Sequence, residues 1–349
     1  MKSWLCCAGL LAACSTFAVA QRAEAQDTTN NADSRAAATE AAMTDAERVS
    51  LLHGIMAMPY GDVKIPEGVP FGAGYIPGIE RLAVPPLTET DASLGVSYVG
   101  GLRGDGATAL PSGMAMGSTW SPELMHKGGA RIADEAHAKG FNVLLAGGIN
   151  LVRDPRGGRA FEYLGEDPLH SGLLGGAAGA GIQSRHGIST VKHFVLNPTE
   201  TGRQFHNGII DEGALRMSDL LAFEIAIEKG EPGSVMCAYN KINGAQACGN
   251  GRMLTGVLKR DWGYKGWVMS DWGAVRATDF ALEGLDQQSG AQLDAAVFFG
   301  QPLLDAAKRD KRYRDRIADM SRRVLRSIYA VGVDSNPPRE APIDGAAGA

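Results

Sequence analysis

Four places in the chain put chemically capable side chains directly after a short apolar run. Lys192-His193 follows Ile188-Ser189-Thr190-Val191, Tyr239-Asn240 follows Val235-Met236-Cys237-Ala238, and Ser270-Asp271-Trp272 follows Trp267-Val268-Met269. Asp91 comes shortly after Pro85-Pro86-Leu87. A fifth place is the loop from Arg153 through Asp154, Arg156, Gly157, Gly158, Arg159 and Glu162 to Tyr163, which ends in Gly165-Glu166-Asp167-Pro168. Its density of Arg and carboxylate suggests an internally bonded polar loop that aims charged groups at a ligand. Taken singly, these residues have bland readings. Asp271 reads as the N-cap of a following helix, and Lys192-His193 as a structural ion pair or a buried, satisfied histidine.

The elements around them explain why strand ends matter. Thr44-Asp45-Ala46-Glu47 matches a capping box and opens a short helix with Val49, Leu51 and Leu52 on its apolar face. Ser121-Pro122-Glu123 caps a helix running to Lys139, Gly140 stops it, and a strand follows over 142–146. The alternation continues with a strand at 189–192, a helix over 213–229, a strand at 234–238, a helix over 253–261 and a strand at 267–269. A charged helix over 303–331 ends at Gly332. Repeated strand and helix over roughly 250 residues predicts an α/β fold of (β/α)8 TIM-barrel type, irregular in places and forming a single domain. Such barrels collect catalytic groups where strands end and βα loops begin.

Together these residues resemble glycoside hydrolase family three, the β-glucosidase group, over 44–332. The resemblance implies a retaining mechanism in which Asp271 is the nucleophile, attacking the anomeric carbon to form a glycosyl ester. A carboxylate suits that task because it is ionised at neutral pH and stabilises positive charge on the sugar ring. The resemblance also implies that Asp91, Arg159, Lys192, His193 and Tyr239 hold the nonreducing glycosyl unit of a β-glucoside or oligosaccharide, with Arg203 as a weaker candidate. Trp272 offers a face for a sugar ring or, equally, ordinary packing. Glu162, Glu166 and Asp167 are expected to orient the arginines, while His137 and Met236 read as helix-surface and core residues.

One part of the family pattern is missing. In the two-domain members the acid/base carboxylate comes from a following α/β sandwich domain, and the sequence ends before one begins; a second domain or another chain is expected to supply that group. Single-domain N-acetylglucosaminidases instead use a His and Asp pair on a barrel loop. The corresponding stretch, 197–207, carries Glu200 and His206 but lacks their glycine- and histidine-rich pattern. A noncatalytic carbohydrate-binding barrel, or an inactive fragment, is the alternative of another class.

Bulk properties narrow the field. The 349 residues are 44% hydrophobic, enough for a globular core, and a net charge of −5 with mixed signs leaves no basic stripe for nucleic acid. An apolar run after Lys2, ending in Ala18-Val19-Ala20, reads as a secretory signal peptide cleaved after Ala20 or Ala25. Leu11-Ala12-Ala13-Cys14 also resembles a lipobox, so the protein is expected to be exported to the periplasm or beyond, with a lipid anchor on Cys14 as the alternative. No membrane span is expected in the body. Residues 26–43 read as a flexible linker, 44–334 as the barrel and 335–349 as a disordered tail. Cys237 and Cys248 could pair or remain buried thiols. No zinc or calcium motif is evident, and no cofactor is expected.

Overall fold

The computed structural model describes residues 31–97 and 101–343. Nine strands run in chain order: β1 Gly74–Ile76, β2 Leu87–Asp91, β3 Val143–Leu145, β4 Ile188–Phe194, β5 Asn207–Gly208, β6 Ser234–Cys237, β7 Lys241–Ile242, β8 Ala245–Gln246 and β9 Trp267–Met269. Six form a curved sheet in the order β1-β2-β3-β4-β6-β9, and β5, β7 and β8 form a small separate sheet in the loops. From β2 to β9 every pairing in the curved sheet is parallel, while β1 joins β2 antiparallel. Helices cover its outer face, so strands such as Val143–Leu145 and Trp267–Met269 are buried throughout and read as unbroken apolar runs.

The sheet returns on itself through two short staves that carry only isolated bridges. Met269 pairs with Gln287, Gln288 with His53, and Ile55 with Tyr75 of β1. The bonds are ordinary in length: Ser270 N–H to the Gln287 carbonyl at 2.9 Å, Gly54 N–H to the Gln288 carbonyl at 3.0 Å, and Ile55 N–H to the Tyr75 carbonyl at 3.0 Å. The expected α/β barrel is thus present in irregular form, with one antiparallel stave.

The closing stave is polar. Asp286 is fully buried, accepts from Lys259 Nζ at 2.7 Å and pairs with Arg316, and its Oδ2 also takes the Val268 N–H at 2.7 Å. Burial would raise the Asp286 carboxyl, but Lys259 and Arg316 outweigh it and hold the pKa near about 2. Gln287 accepts from Trp267 Nε1 at 3.1 Å and donates to the Leu51 carbonyl at 2.8 Å, joining three staves.

The helices are α1 over 31–41, α2 Asp45–Ser50, α3 Gly113–Gly117, α4 Pro122–Ala138, α5 Pro168–Gln183, α6 Glu212–Met217, α7 Asp219–Gly230, α8 Phe280–Glu283, α9 Gln301–Arg309 and α10 Lys311–Val331. A wide π-type helix occupies Arg252–Asp261. The capping box at Thr44 and Glu47 is formed on α2. The helix expected over 213–229 is broken at Ser218, whose φ of −121° and ψ of −102° are non-helical, and that expected over 303–331 is broken at Asp310, which caps α10. Helix α5 lies between α4 and α7, and its glycines allow the close approach: a Cβ at Gly181 would overlap the His126 carbonyl of α4, and one at Gly172 would overlap the Ala222 carbonyl of α7.

Two expectations are corrected. Of the stretch read as a flexible linker, 31–41 is helical and folded against α10. Alanine is the best helix former, and Ala32 and Ala36, one turn apart, are buried there. Thr39 Oγ1 lies 2.9 Å from the Tyr329 hydroxyl, Arg326 Nε donates to Asp33 at 2.8 Å, and Arg35 stacks over the Tyr329 ring at 4.1 Å. At the other end, the stretch expected to be disordered bonds to the barrel, Asn336 N–H to the Gly332 carbonyl and Ala341 N–H to the Ala138 carbonyl, each at 3.0 Å. The leader, 26–30 and 344–349 lie outside the described residues. Cys237 and Cys248 are joined as a disulfide. Among the described residues no helix is long and apolar enough to cross a membrane.

Removing Asp286 leaves the buried Lys259 without its counter-charge and Arg316 with Asp319 alone. Asp286→Ala is therefore expected to lower the unfolding free energy by about 3–5 kcal/mol in urea titration, whereas an unchanged midpoint would show that the closing stave does not depend on this cluster.

Candidate active site

Asp271 stands two residues beyond the end of β9, at the C-terminal mouth of the sheet, and is only 7% exposed. Its Oδ1 accepts the N–H of Trp272 at 2.8 Å, and its Oδ2 is buried without a hydrogen-bond partner. Burial pushes the carboxyl above the usual aspartate range; the Tyr239 hydroxyl, Arg159, the Trp272 N–H and Lys192 pull it back. Tyr239 has one proton and two acceptors beside it, the Trp272 carbonyl at 2.8 Å and the Asp271 carboxylate. The carbonyl takes it in this geometry, which leaves Oδ2 open.

Lys192 and His193 extend from β4, where the register shifts between Val191 and Phe194. Lys192 Nζ is buried, 3.3 Å from Asp91 Oδ1 and 3.8 Å from Glu162 Oε2. His193 is clamped by Asn150, whose Oδ1 accepts the His193 N–H at 2.8 Å and whose Nδ2 donates to its carbonyl at 2.9 Å. Its Nε2 faces Asp271 Oδ2 at 3.8 Å, beyond hydrogen-bond length. Burial, then Arg159, Lys192 and Arg203, hold the His193 pKa well below its usual value, so the ring is neutral at pH 7.

Asp91, at the end of β2, keeps a side chain 61% exposed, open to the mouth. Arg159 bonds Glu162, which also accepts from Ser93 Oγ at 2.8 Å. Burial alone would raise Glu162, but Lys192 and Arg159 hold it below the usual range. Arg203 lies 4.0 Å over the Tyr239 ring and bonds Glu200 at 2.6 Å. Trp272 is half-buried; its Nε1 donates to the Ala73 carbonyl at 3.0 Å, and a Cβ at Gly290 would overlap its ring. Packing thus accounts for much of Trp272. Every sequence-nominated site residue comes to this one mouth, either touching Asp271 directly or linked to it through these pairs.

Two supporting assignments are corrected. Glu162 does orient Arg159, but Asp167 caps α5, accepting the His170 N–H at 2.7 Å, and Glu166 is exposed on the surface. Neither is bonded to an arginine of the site. Asn150 and Ser93 belong to the site's support and escaped the sequence reading, while Tyr163, which the sequence marked only as the end of the polar loop, brings its hydroxyl to 3.4 Å from His193 Nδ1. Asn150 alone left a signal, a polar residue inside the apolar run that follows β3. Apart from Asp271, the carboxylates at the mouth named above are paired with cations: Asp91 with Lys192, Glu162 with Arg159, Glu200 with Arg203. Glu200 therefore faces arginine, and no contact joins it to His206 as a dyad. Among the described residues no group of His, Cys, Asp and Glu is clustered to hold a metal.

A buried carboxylate ringed by donors at the C-terminal mouth of a parallel barrel is the arrangement in which barrel enzymes carry their catalytic groups. The sequence pattern of the Glycosyl hydrolase family 3 N terminal domain matches residues 79–297, and the chain belongs to that family. A beta-glucosidase of Rhizobium radiobacter is 36% identical over 266 residues, 74% of this chain and 32% of its own length. The beta-glucosidase DesR from Streptomyces venezuelae, solved with D-glucose, superposes with a TM-score of 0.81 at 34% identity, covering 90% of this chain and 40% of that one. Beta-glucosidase 3B from Thermotoga neapolitana, solved with alpha-D-glucose, gives 0.79 at 29% identity, covering 87% and 44%. The chain spans about a third of the length of the curated relatives it matches.

Glu89 sets a pH dependence of its own. It is buried beneath Asp91, neither oxygen has a hydrogen-bond partner, and a Cβ on Gly74 would overlap its carboxyl. Burial, and secondarily Asp91, pushes its pKa up to about 8. Between about 4.3, the unfolded value, and about 8 the folded chain holds a proton the unfolded chain has lost, so stability falls as pH rises through that window. Glu89→Gln abolishes this term, and its stability gain over the parent, read from urea midpoints at pH 5 and pH 8, is expected to be larger at pH 8.

Proposed function

We propose that this chain is the nucleophile-bearing barrel of an exported retaining β-glycosidase that removes terminal nonreducing β-D-glucosyl or similar β-glycosyl units. The observation that carries this reading is the open Oδ2 of Asp271, buried among Tyr239, His193, Arg159 and Lys192. The glucosyl ring is held by Asp91, Arg159, Lys192, His193, Arg203 and Tyr239, with Trp272 along one side. Asp271 attacks the anomeric carbon, the glycosidic oxygen leaves with a proton from a general acid, and water then hydrolyses the glycosyl ester. Burial makes Asp271 reactive by stripping its hydration, while Arg159 and Lys192 keep it in the charged form that attack requires.

The general acid is supplied from outside the described residues, by a second domain or another chain. The state of Glu162 supports this, since Lys192 and Arg159 hold it below the usual carboxylate range and make it a poor proton donor. Without the acid, departure of the leaving group is expected to slow by roughly 100- to 10,000-fold. The names of the relatives support glucosides as substrates, and the paired Cys237 and Cys248 support an oxidising, extracytoplasmic location.

The test is hydrolysis of 2,4-dinitrophenyl β-D-glucoside, whose leaving group needs no acid, together with trapping by a 2-deoxy-2-fluoroglucoside. Turnover is expected in the purified chain, with the label on Asp271, and Asp271→Asn is expected to lower kcat by a factor on the order of 10⁴. Binding of glucose with neither label nor turnover would identify a carbohydrate-binding barrel instead, and preference for a 2-acetamido sugar with loss on His206→Ala would identify the N-acetylglucosaminidase mechanism.

A further inference from the structure

We propose that Glu200 is a positioning residue for the sugar site: one carboxylate that sets the two arginines of the mouth and interlocks the two loops that carry them. The proposal rests on the reading of the mouth as a glycosyl-binding site. Arg159 lies on the loop after β3 and Arg203 on the loop after β4, separate segments of the chain that meet at Glu200. Glu200 joins them at three levels. Its backbone N–H donates to the Gly157 carbonyl at 2.8 Å. Its Oε2 accepts from Arg203 Nη1 at 2.6 Å. Its Oε1 is buried with no hydrogen-bond partner and stands 4.0 Å from Arg159 Nη1.

The loops are shaped for this approach. Gly158 has a φ of +93°, and a Cβ there would lie 2.9 Å from Glu200 Cγ; a Cβ at Gly157 would crowd the Pro198 carbonyl at 2.5 Å. The Glu200 side chain is about one third exposed, so its place between the guanidiniums is held by charge and by these loop contacts more than by burial.

The consequence reaches the nucleophile. Arg203, bonded to Glu200, lies over the Tyr239 ring, whose hydroxyl is beside Asp271. Arg159, on the other side of Glu200, is among the charges that hold Asp271 ionised. The contacts of Glu200 are with the two arginines and the Gly157 backbone, and it acts through both arginines. A carboxylate does this where an amide cannot, because its charge lets it accept from one guanidinium, face the second, and offset the repulsion between them.

The experiment compares the full chain with Glu200→Gln and Glu200→Asp, reading glucose affinity by calorimetry, kcat and KM with 2,4-dinitrophenyl β-D-glucoside, and the melting temperature. Glu200→Gln is expected to weaken glucose binding and raise KM by about tenfold, the loss of one charge-assisted contact, with kcat changed less and melting nearly unchanged. Glu200→Asp, which keeps the charge, is expected to recover part of the loss, and it carries the test alone if Glu200→Gln fails to fold. Glucose affinity and KM equal to the parent's in the folded variants, or losses that merely track a fall in melting temperature, would overturn the proposal while leaving the glycosidase reading intact. A parent chain that takes up neither glucose nor the fluoro-sugar label would overturn both.

Discussion

An isolated carboxylate removed from water must be compensated, and the Asp271 side chain is nearly as buried as the core around it. Compensation here is deliberately incomplete. One oxygen is tied to a backbone N–H and the other is open, while the positive charges that keep the group ionised stand back from it. Those charges carry the same obligation in turn. Lys192 is as buried as Asp271 and leans on Asp91 and Glu162; Arg159 leans on Glu162. The mouth is a set of nested charge pairs in which each group is tolerable only because of the next, and the outermost members, Asp91 and Glu200, reach solvent.

Such an arrangement demands a rigid frame, because the hydrogen bonds that hold the charges in place weaken steeply as they lose length and alignment. The frame is the closed ring of staves. Lys192 and Asp271 stand at the ends of β4 and just past β9, two strands separated only by β6, so their spacing is fixed by strand pairing and not by loop conformation. Asn150 pins the backbone of His193 from the neighbouring stave. The loops contribute Arg159 and Arg203, and these are the residues that need further ties.

Much of this was legible in the sequence where the signal was local. Thr44 and Glu47, Ser121 and Pro122, and the apolar run at Trp267 announced their elements through capping and periodicity, and the polar residues after the apolar runs did gather at one mouth. What escaped was set by tertiary context. Helix α5 carries five glycines between Pro168 and Gln183, a composition that disfavours a helix until α4 and α7 pack on both sides, although Asp167 and Pro168 do mark its start. The closing stave at Asp286-Gln287-Gln288 has no apolar alternation, since its side chains satisfy backbone groups of neighbouring staves. Helix α1 looked like a linker because its buried face is made of alanines, whose contribution depends on a partner 290 residues away in the chain.

The disulfide between Cys237 and Cys248 closes a loop around Tyr239 and Asn240, directly at the end of β6. It fastens the segment that carries the hydroxyl beside Asp271 to the rest of the loop by a covalent link instead of by packing. The alignment of Asp271 with that hydroxyl is therefore tied to the thiol chemistry of the compartment in which the chain matures: material folded in a reducing cytosol and material folded in an oxidising one would share a sequence and a barrel, yet differ in how firmly that hydroxyl is held.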